Sequence, residues 1–231
     1  MRMGKSKVML LLSLVVIWLG AGNSLVDAAT GKDKLTLSLR SRVETEAGSG
    51  KFRMAERKAE WQPSKTAIII CDMWDRHWCK GATQRVAEMA PRMNEVVSIA
   101  RDKGALIIHA PSGTIKHYEN HPARKLAQSA PKAANLPEDI GKWCKWIDEK
   151  EKTLGYPVDH SDGGCDCEPK CKQGSAWRKQ FDGIEIRSED AISDSGVEIW
   201  NLLEHRGIDN VILMGVHTNM CVLGRPFGLR N

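Results

Sequence analysis

Residues Thr66 to Cys71 read Thr-Ala-Ile-Ile-Ile-Cys, a short, continuous run dominated by isoleucine. It has no polar face, so it describes a strand buried on both sides, and such a strand needs helices covering the sheet above and below it. The next segment supplies one: Val86, Met89, Met93, Val96, Val97 and Ala100 recur at helical spacing between Thr83 and Lys103. Pro91 is expected to open a second helical piece there, and Gly104 to end it. Ala105 to His109, Gly183 to Ile186 and Asn210 to Met214 read as three further apolar strands. Between the last two, Val197, Ile199, Trp200, Leu202 and Leu203 mark a helix that stops at Gly207. Strands alternating with helices predict an α/β fold built on a parallel, Rossmann-like sheet.

The beginning of the chain reads as an address. Arg2, Lys5 and Lys7 precede an apolar run from Val8 to Leu19, and Val26-Asp27-Ala28 presents short side chains to a signal peptidase. A signal peptide over residues 1–28, cleaved after Ala28, makes this an exported protein, periplasmic or extracellular. An uncleaved anchor is the alternative, but the run is shorter than the roughly 18 residues of a spanning helix, so no membrane contact is expected after cleavage. About 200 residues then remain, enough for one domain with a full core.

The formal charge of +5 falls to about +3 without the leader, and Lys and Arg are interspersed with acids rather than gathered into a stripe. No nucleic-acid partner follows. In the N-terminal extension, residues 29–64, Leu35, Leu37 and Leu39 alternate with polar residues before a turn at Gly48-Ser49-Gly50, which predicts a peripheral strand or hairpin. The main domain spans 65–231, with an insertion at about 131–180 where periodicity is poor. Because Gly224 to Asn231 supplies barely two turns for the helix after the last strand, the sequence is expected to continue past Asn231.

In an open parallel sheet, ligands gather at the carboxyl ends of the strands. The first core strand delivers Asp72 there. The last delivers Gly215-Val216-His217-Thr218-Asn219-Met220-Cys221, a tight turn into a helix. Backbone N–H groups and the positive end of a helix dipole favour a thiolate at such a position, and a neighbouring carboxylate can take the thiol proton. That is the chemistry of acyl transfer through a thioester.

Ala67-Ile68-Ile69-Ile70-Cys71-Asp72-Met73-Trp74 resembles the first strand and catalytic aspartate of the isochorismatase-like cysteine hydrolases, relatives of nicotinamidases. Gly215 to Val222 resembles their nucleophile elbow. The resemblance implies a three-layer α/β/α fold, Cys221 as nucleophile and Asp72 as base. It further implies a cis peptide between Val216 and His217, and an oxyanion hole from the N–H groups of Met220 and Cys221. The reaction implied is hydrolysis of a C–N, amide-type bond of a small-molecule substrate. A homo-oligomer is compatible with this reading, and the competing one is a ligand-binding member of the fold without catalysis.

The family's third catalytic residue is a lysine, and Arg187 stands at its position. Arg187 is therefore expected as the electrostatic member of the site, the alternatives being Lys179 folded over it, or Arg187 as a surface residue paired with Glu185 or Glu189. Trp74 and Trp78 are expected to line the substrate pocket, while Trp143, Trp146 and Trp177 read as packing residues.

No cofactor is expected. His109, His117 and His121 lack the Asp-x-His spacing with which related amidohydrolases hold a metal, and His109 reads as a hydrogen-bonded core histidine. Cys71 reads as a buried hydrophobe. Cys79, Cys144, Cys165, Cys167 and Cys171 are assigned to disulfides with one left over. The Cys165-Asp166-Cys167 and Cys171 group, near His160 and Asp162, offers only half of a zinc-site spacing.

Overall fold

The structure is a computed structural model that describes residues 34–154 and 164–231. The expected leader and its cleavage site, and the flanking His160 and Asp162, lie outside the described residues. The chain begins with β1 (Leu35–Glu44) and β2 (Phe52–Trp61), ten residues each, paired antiparallel from Leu35 opposite Trp61 to Glu44 opposite Phe52. Gly48 and Gly50, both with positive φ, make the connecting turn.

A single 3-10 turn at Pro63–Lys65 leads into β3 (Thr66–Cys71), in which every residue is buried. Next come α1 (Lys80–Asp102), β4 (Leu106–Ala110), α2 (Pro122–Ser129), α3 (Glu149–Leu154), β5 (Ala191–Ile192), α4 (Gly196–Arg206), β6 (Asn210–Gly215) and α5 (Cys221–Gly224). The second sheet has the order β5-β4-β3-β6, and all of its pairings are parallel. The fold is mixed α/β, with this four-stranded sheet flanked by helices.

The alternation of β3 explains the two cores. Ile68 and Ile70 face α1 through Val86, Ala90, Val97 and Ala100. Ala67, Ile69 and Cys71 face the other way, onto Ala127 of α2, Ile199 and Leu202 of α4, and Cys221 and Val222 of α5. Burying side chains on both faces at about 25 cal/mol per Å² is what stabilises a strand with no polar face.

Three elements differ from the reading of the sequence. Pro91 lies inside one continuous helix, α1, because the buried stripe on either side of it outweighs the loss of one backbone hydrogen bond. Gly183 to Ile186 is a turn and not a strand, and the sheet takes Ala191 and Ile192 instead. Two side chains account for the displacement: Ile184 packs under α1, and Arg101 draws in the Glu185 carbonyl oxygen at 3.1 Å. The assigned disulfides are absent among the described residues: all seven cysteines are free, and Cys144 donates to the Trp146 carbonyl oxygen at 3.3 Å, away from the other four.

Gly215 fixes how closely β3 and β6 meet. Its φ is 146°, and a Cβ there would lie 2.0 Å from the Cys71 carbonyl oxygen. Only glycine lets the two strands deliver their last residues side by side.

Candidate active site

β3 ends because Asp72 turns out of the extended conformation, at φ 52°. Its N–H still donates to the Ala110 carbonyl oxygen of the neighbouring strand at 3.1 Å, so the carboxyl group is aimed from the carboxyl edge of the sheet. One carboxylate oxygen accepts from the Ser112 N–H at 2.9 Å. The other accepts from Arg225 Nε at 3.1 Å and Nη2 at 3.0 Å. Asp72 is fully buried.

β6, next to β3, ends in the turn that carries His217 and Cys221. His217 has φ 58°, so the site contains two side-chain-bearing residues in the left-handed region, a conformation held only where surrounding contacts enforce it. Those contacts are visible: the His217 carbonyl oxygen accepts from Met220 N–H at 2.9 Å and Val222 N–H at 3.2 Å. The Cys221 sulfur lies 3.6 Å from His217 Nδ1, and the sulfur, a His217 nitrogen and an Asp72 oxygen all fall within 4.8 Å of one another.

Arg225 is the residue that reading the sequence missed. It stands four positions after Cys221, one helical turn on, and so reaches back over the thiol to Asp72. Its guanidinium is 4.6 Å from the centre of the Trp143 ring, which holds it from the other side. Arg187, expected in this role, is instead paired with Glu185 at 3.0 Å and Asp102 at 3.2 Å. It lines a recess with Ser64, Leu106 and Ile208, at the amino ends of the strands, opposite the site. Lys179 is paired with Asp182 at 2.6 Å and does not reach the site either. The loop displacement that removed the Gly183–Ile186 strand also carries Arg187 away.

The electrostatics follow from burial. Desolvation drives the Cys221 thiol well above its ordinary value, and the Asp72 charge adds to this while Arg225 opposes it. Burial likewise opposes the charge on Arg225, but Asp72 and Cys221 beside it raise its pKa. Burial lowers the pKa of His217; Asp72 works the other way, and Arg225 reinforces the fall. His217 is therefore a neutral imidazole at pH 7. α5 is a single turn, so its dipole offers little to offset the desolvation of the thiol.

Two other expectations for the turn change. Among the described residues the cis peptide bond is Glu168-Pro169; Val216 to His217 is trans. The N–H of Met220 is taken by the His217 carbonyl oxygen and is not an open oxyanion donor.

Cys221 opens onto a cavity of about 380 Å³ lined by Trp74, His77, Trp78, Trp143, Trp177 and His217, among others. Trp74 and Trp177 are stacked, with ring centroids 4.4 Å apart, and His77 extends the stack, 5.7 Å from Trp177. Trp74 donates to the Ser112 carbonyl oxygen at 3.1 Å, tying the stack to the loop that also holds Asp72. Trp143 and Trp177 thus line the cavity along with Trp74 and Trp78, and the insertion forms a wall of the site.

His109, His117 and His121 do not converge on one another. His109 is buried between Gln180 at 2.9 Å and Asp190 at 3.1 Å. His121 caps α2 by accepting from the Ala123 N–H, and His117 packs edge-on against Tyr118. No protein-family model matches the chain, and no curated protein is significantly similar to it.

Proposed function

We propose that the chain is a cysteine-dependent hydrolase of the isochorismatase-like, three-layer α/β/α type, cleaving the C–N bond of a small amide through a thioester. The observation that carries this reading is the meeting of the Cys221 sulfur, the Asp72 carboxylate and His217 within 4.8 Å, at the carboxyl ends of two adjacent parallel strands. The open cavity of stacked rings beside them suits a flat, apolar substrate.

In this mechanism the Cys221 sulfur forms a bond to the carbonyl carbon while Asp72 takes the thiol proton. Collapse of the tetrahedral intermediate breaks the C–N bond, and the proton passes to the departing nitrogen. Water then attacks the thioester, releasing the acid and restoring the thiol. His217, neutral and 3.6 Å from the sulfur, orients the thiol. Arg225 supplies the positive charge that the family takes from lysine, holding Asp72 in place and offsetting the negative charge as it moves. We also propose, from the basic residues and the apolar run that begin the sequence, that the protein is exported, and amino-terminal sequencing of material recovered outside the cytoplasm of a host tests the leader.

The test is a panel of small aromatic and aliphatic amides, assayed with the wild-type protein and with Cys221→Ser, alongside iodoacetamide labelling. Hydrolysis that disappears in Cys221→Ser supports the proposal. No turnover on the panel together with unexceptional thiol reactivity at Cys221 refutes it.

A second reading, a ligand-binding protein on the same fold, has one observation in its favour. The thiol is held protonated by burial and Met220 has no free N–H to give, so the ground state is better arranged to hold a flat ligand than to attack it. Saturable binding of an amide that is recovered intact would select this reading.

A further inference from the structure

Four cysteines from two distant parts of the chain meet away from Cys221. The sulfurs of Cys79, Cys165, Cys167 and Cys171 all lie within 4.8 Å of one another, and those of Cys79 and Cys167 are 3.7 Å apart. A disulfide requires about 2.05 Å between bonded sulfurs. Four sulfurs bound tetrahedrally at about 2.3 Å from a zinc ion lie about 3.8 Å from one another along each edge. The observed spacing matches the second geometry.

Backbone donors surround the sulfurs. Cys79 is the N-cap of α1, and the first three N–H groups of that helix, which have no carbonyl partner within it, all point at sulfur. Lys80 N–H donates to Cys171 at 3.5 Å, Gly81 N–H to Cys167 at 3.4 Å, and Ala82 N–H to Cys79. Cys165 accepts from the N–H groups of Cys167 and Cys171. Each of the four sulfurs thus receives at least one backbone hydrogen bond, and the positive end of a 23-residue helix faces the cluster. Cys79 and Cys165 are buried, and Gly81 is packed so closely that a Cβ would sit 3.3 Å from the Cys167 sulfur.

We propose that Cys79, Cys165, Cys167 and Cys171 bind one Zn²⁺ ion as a closed, structural tetrathiolate site. Four protein ligands leave no position for water or substrate, so the site is not catalytic. An iron–sulfur cluster places its own irons and sulfides between the cysteines and needs sulfurs farther apart than these. The ion carries a mechanical role. Cys79 closes the loop that bears Trp74, His77 and Trp78, while the other three begin the segment that ends in Trp177, so zinc fastens together two walls of the cavity. Arg85, bound to Asp166 by two bonds of 3.2 Å, supports the same junction.

The experiment measures metal in the full chain purified without chelator, by inductively coupled plasma mass spectrometry. Stoichiometric zinc is expected, lost in Cys165→Ser/Cys171→Ser and kept in Cys221→Ser. Because the double variant can fail to fold, the wild-type protein is also titrated with a mercurial in the presence of a zinc indicator; zinc release in step with modification of four thiols is expected. Zinc that persists in the double variant, or that vanishes in Cys221→Ser, overturns the assignment, since the latter places it at Asp72, His217 and Cys221. So do disulfide-linked peptides joining these four cysteines in an unreduced digest of metal-free protein. None of these readouts depends on hydrolase activity.

Discussion

Arg225 is the residue whose removal tests the electrostatic account most directly. Asp72 is fully buried and the Arg225 side chain is one-fifth exposed, with the two guanidinium contacts at 3.0 and 3.1 Å. At about 4 Å between charge centres and an effective dielectric constant of about 20, such a pair interacts by about 4 kcal/mol. Replacing Arg225 by Met leaves the carboxylate buried with neutral partners alone, the Ser112 N–H and the neighbouring thiols, and with no cation facing it, which is expected to destabilise the fold by about 3–5 kcal/mol. For a domain of this size that lowers Tm by about 6 to 20 °C. Asp72→Asn alone destabilises as well, but Asp72→Asn/Arg225→Met removes both charges and should recover about 2–4 kcal/mol of the summed loss.

The thiol provides a second readout with opposite signs for the two variants. Asp72 raises the Cys221 pKa and Arg225 lowers it. Alkylation of Cys221 by iodoacetamide at a fixed, mildly alkaline pH should therefore be slower in Arg225→Met and faster in Asp72→Asn. Denaturant melts and alkylation rates of the four proteins complete the cycle. Additive stability losses, or both variants shifting alkylation in one direction, would refute the reasoning.

Cys221→Ser should abolish amide turnover while changing stability by no more than about 1 kcal/mol, since the change is nearly isosteric; intact turnover would remove the nucleophile assignment. His77 has its pKa lowered from 6.5 to about 4 by burial and by His217. The unfolded chain therefore binds a proton that the folded chain does not, and stability should decline as pH falls from about 6.5 to 4, with a shallower slope in His77→Gln. Asp190 is held below its ordinary value although burial opposes this, because His109, Arg101 and the Arg187 N–H all bond its carboxylate. Its contribution is present above pH 3.8 and is lost as pH falls through the lowered value; Asp190→Asn should destabilise by about 3–5 kcal/mol at neutral pH, measured by urea melts.

The strand Thr66–Cys71 shows what a sequence alone determines here. Six consecutive buried positions admit only a central strand under two layers of helices, so the parallel sheet, the position of Asp72 at its carboxyl end and the turn bearing Cys221 on a sheet-edge loop were all legible. These are properties of side-chain period and of glycine: Gly215, for which a Cβ has no room, marks where two strands touch. Which cation faces Asp72 was not legible, because Arg187 and Arg225 are equally basic in sequence. The choice was made by a turn that buries Ile184 and sends Arg187 to the opposite rim.

The insertion was opaque for the same reason. Trp177 and the Cys165 group have no periodicity, and the nearest cysteine in space, Cys79, is 88 positions from Cys167. Side-chain period reports which face of an element is buried; contacts between loops depend on where the chain returns, and only the folded packing determines that.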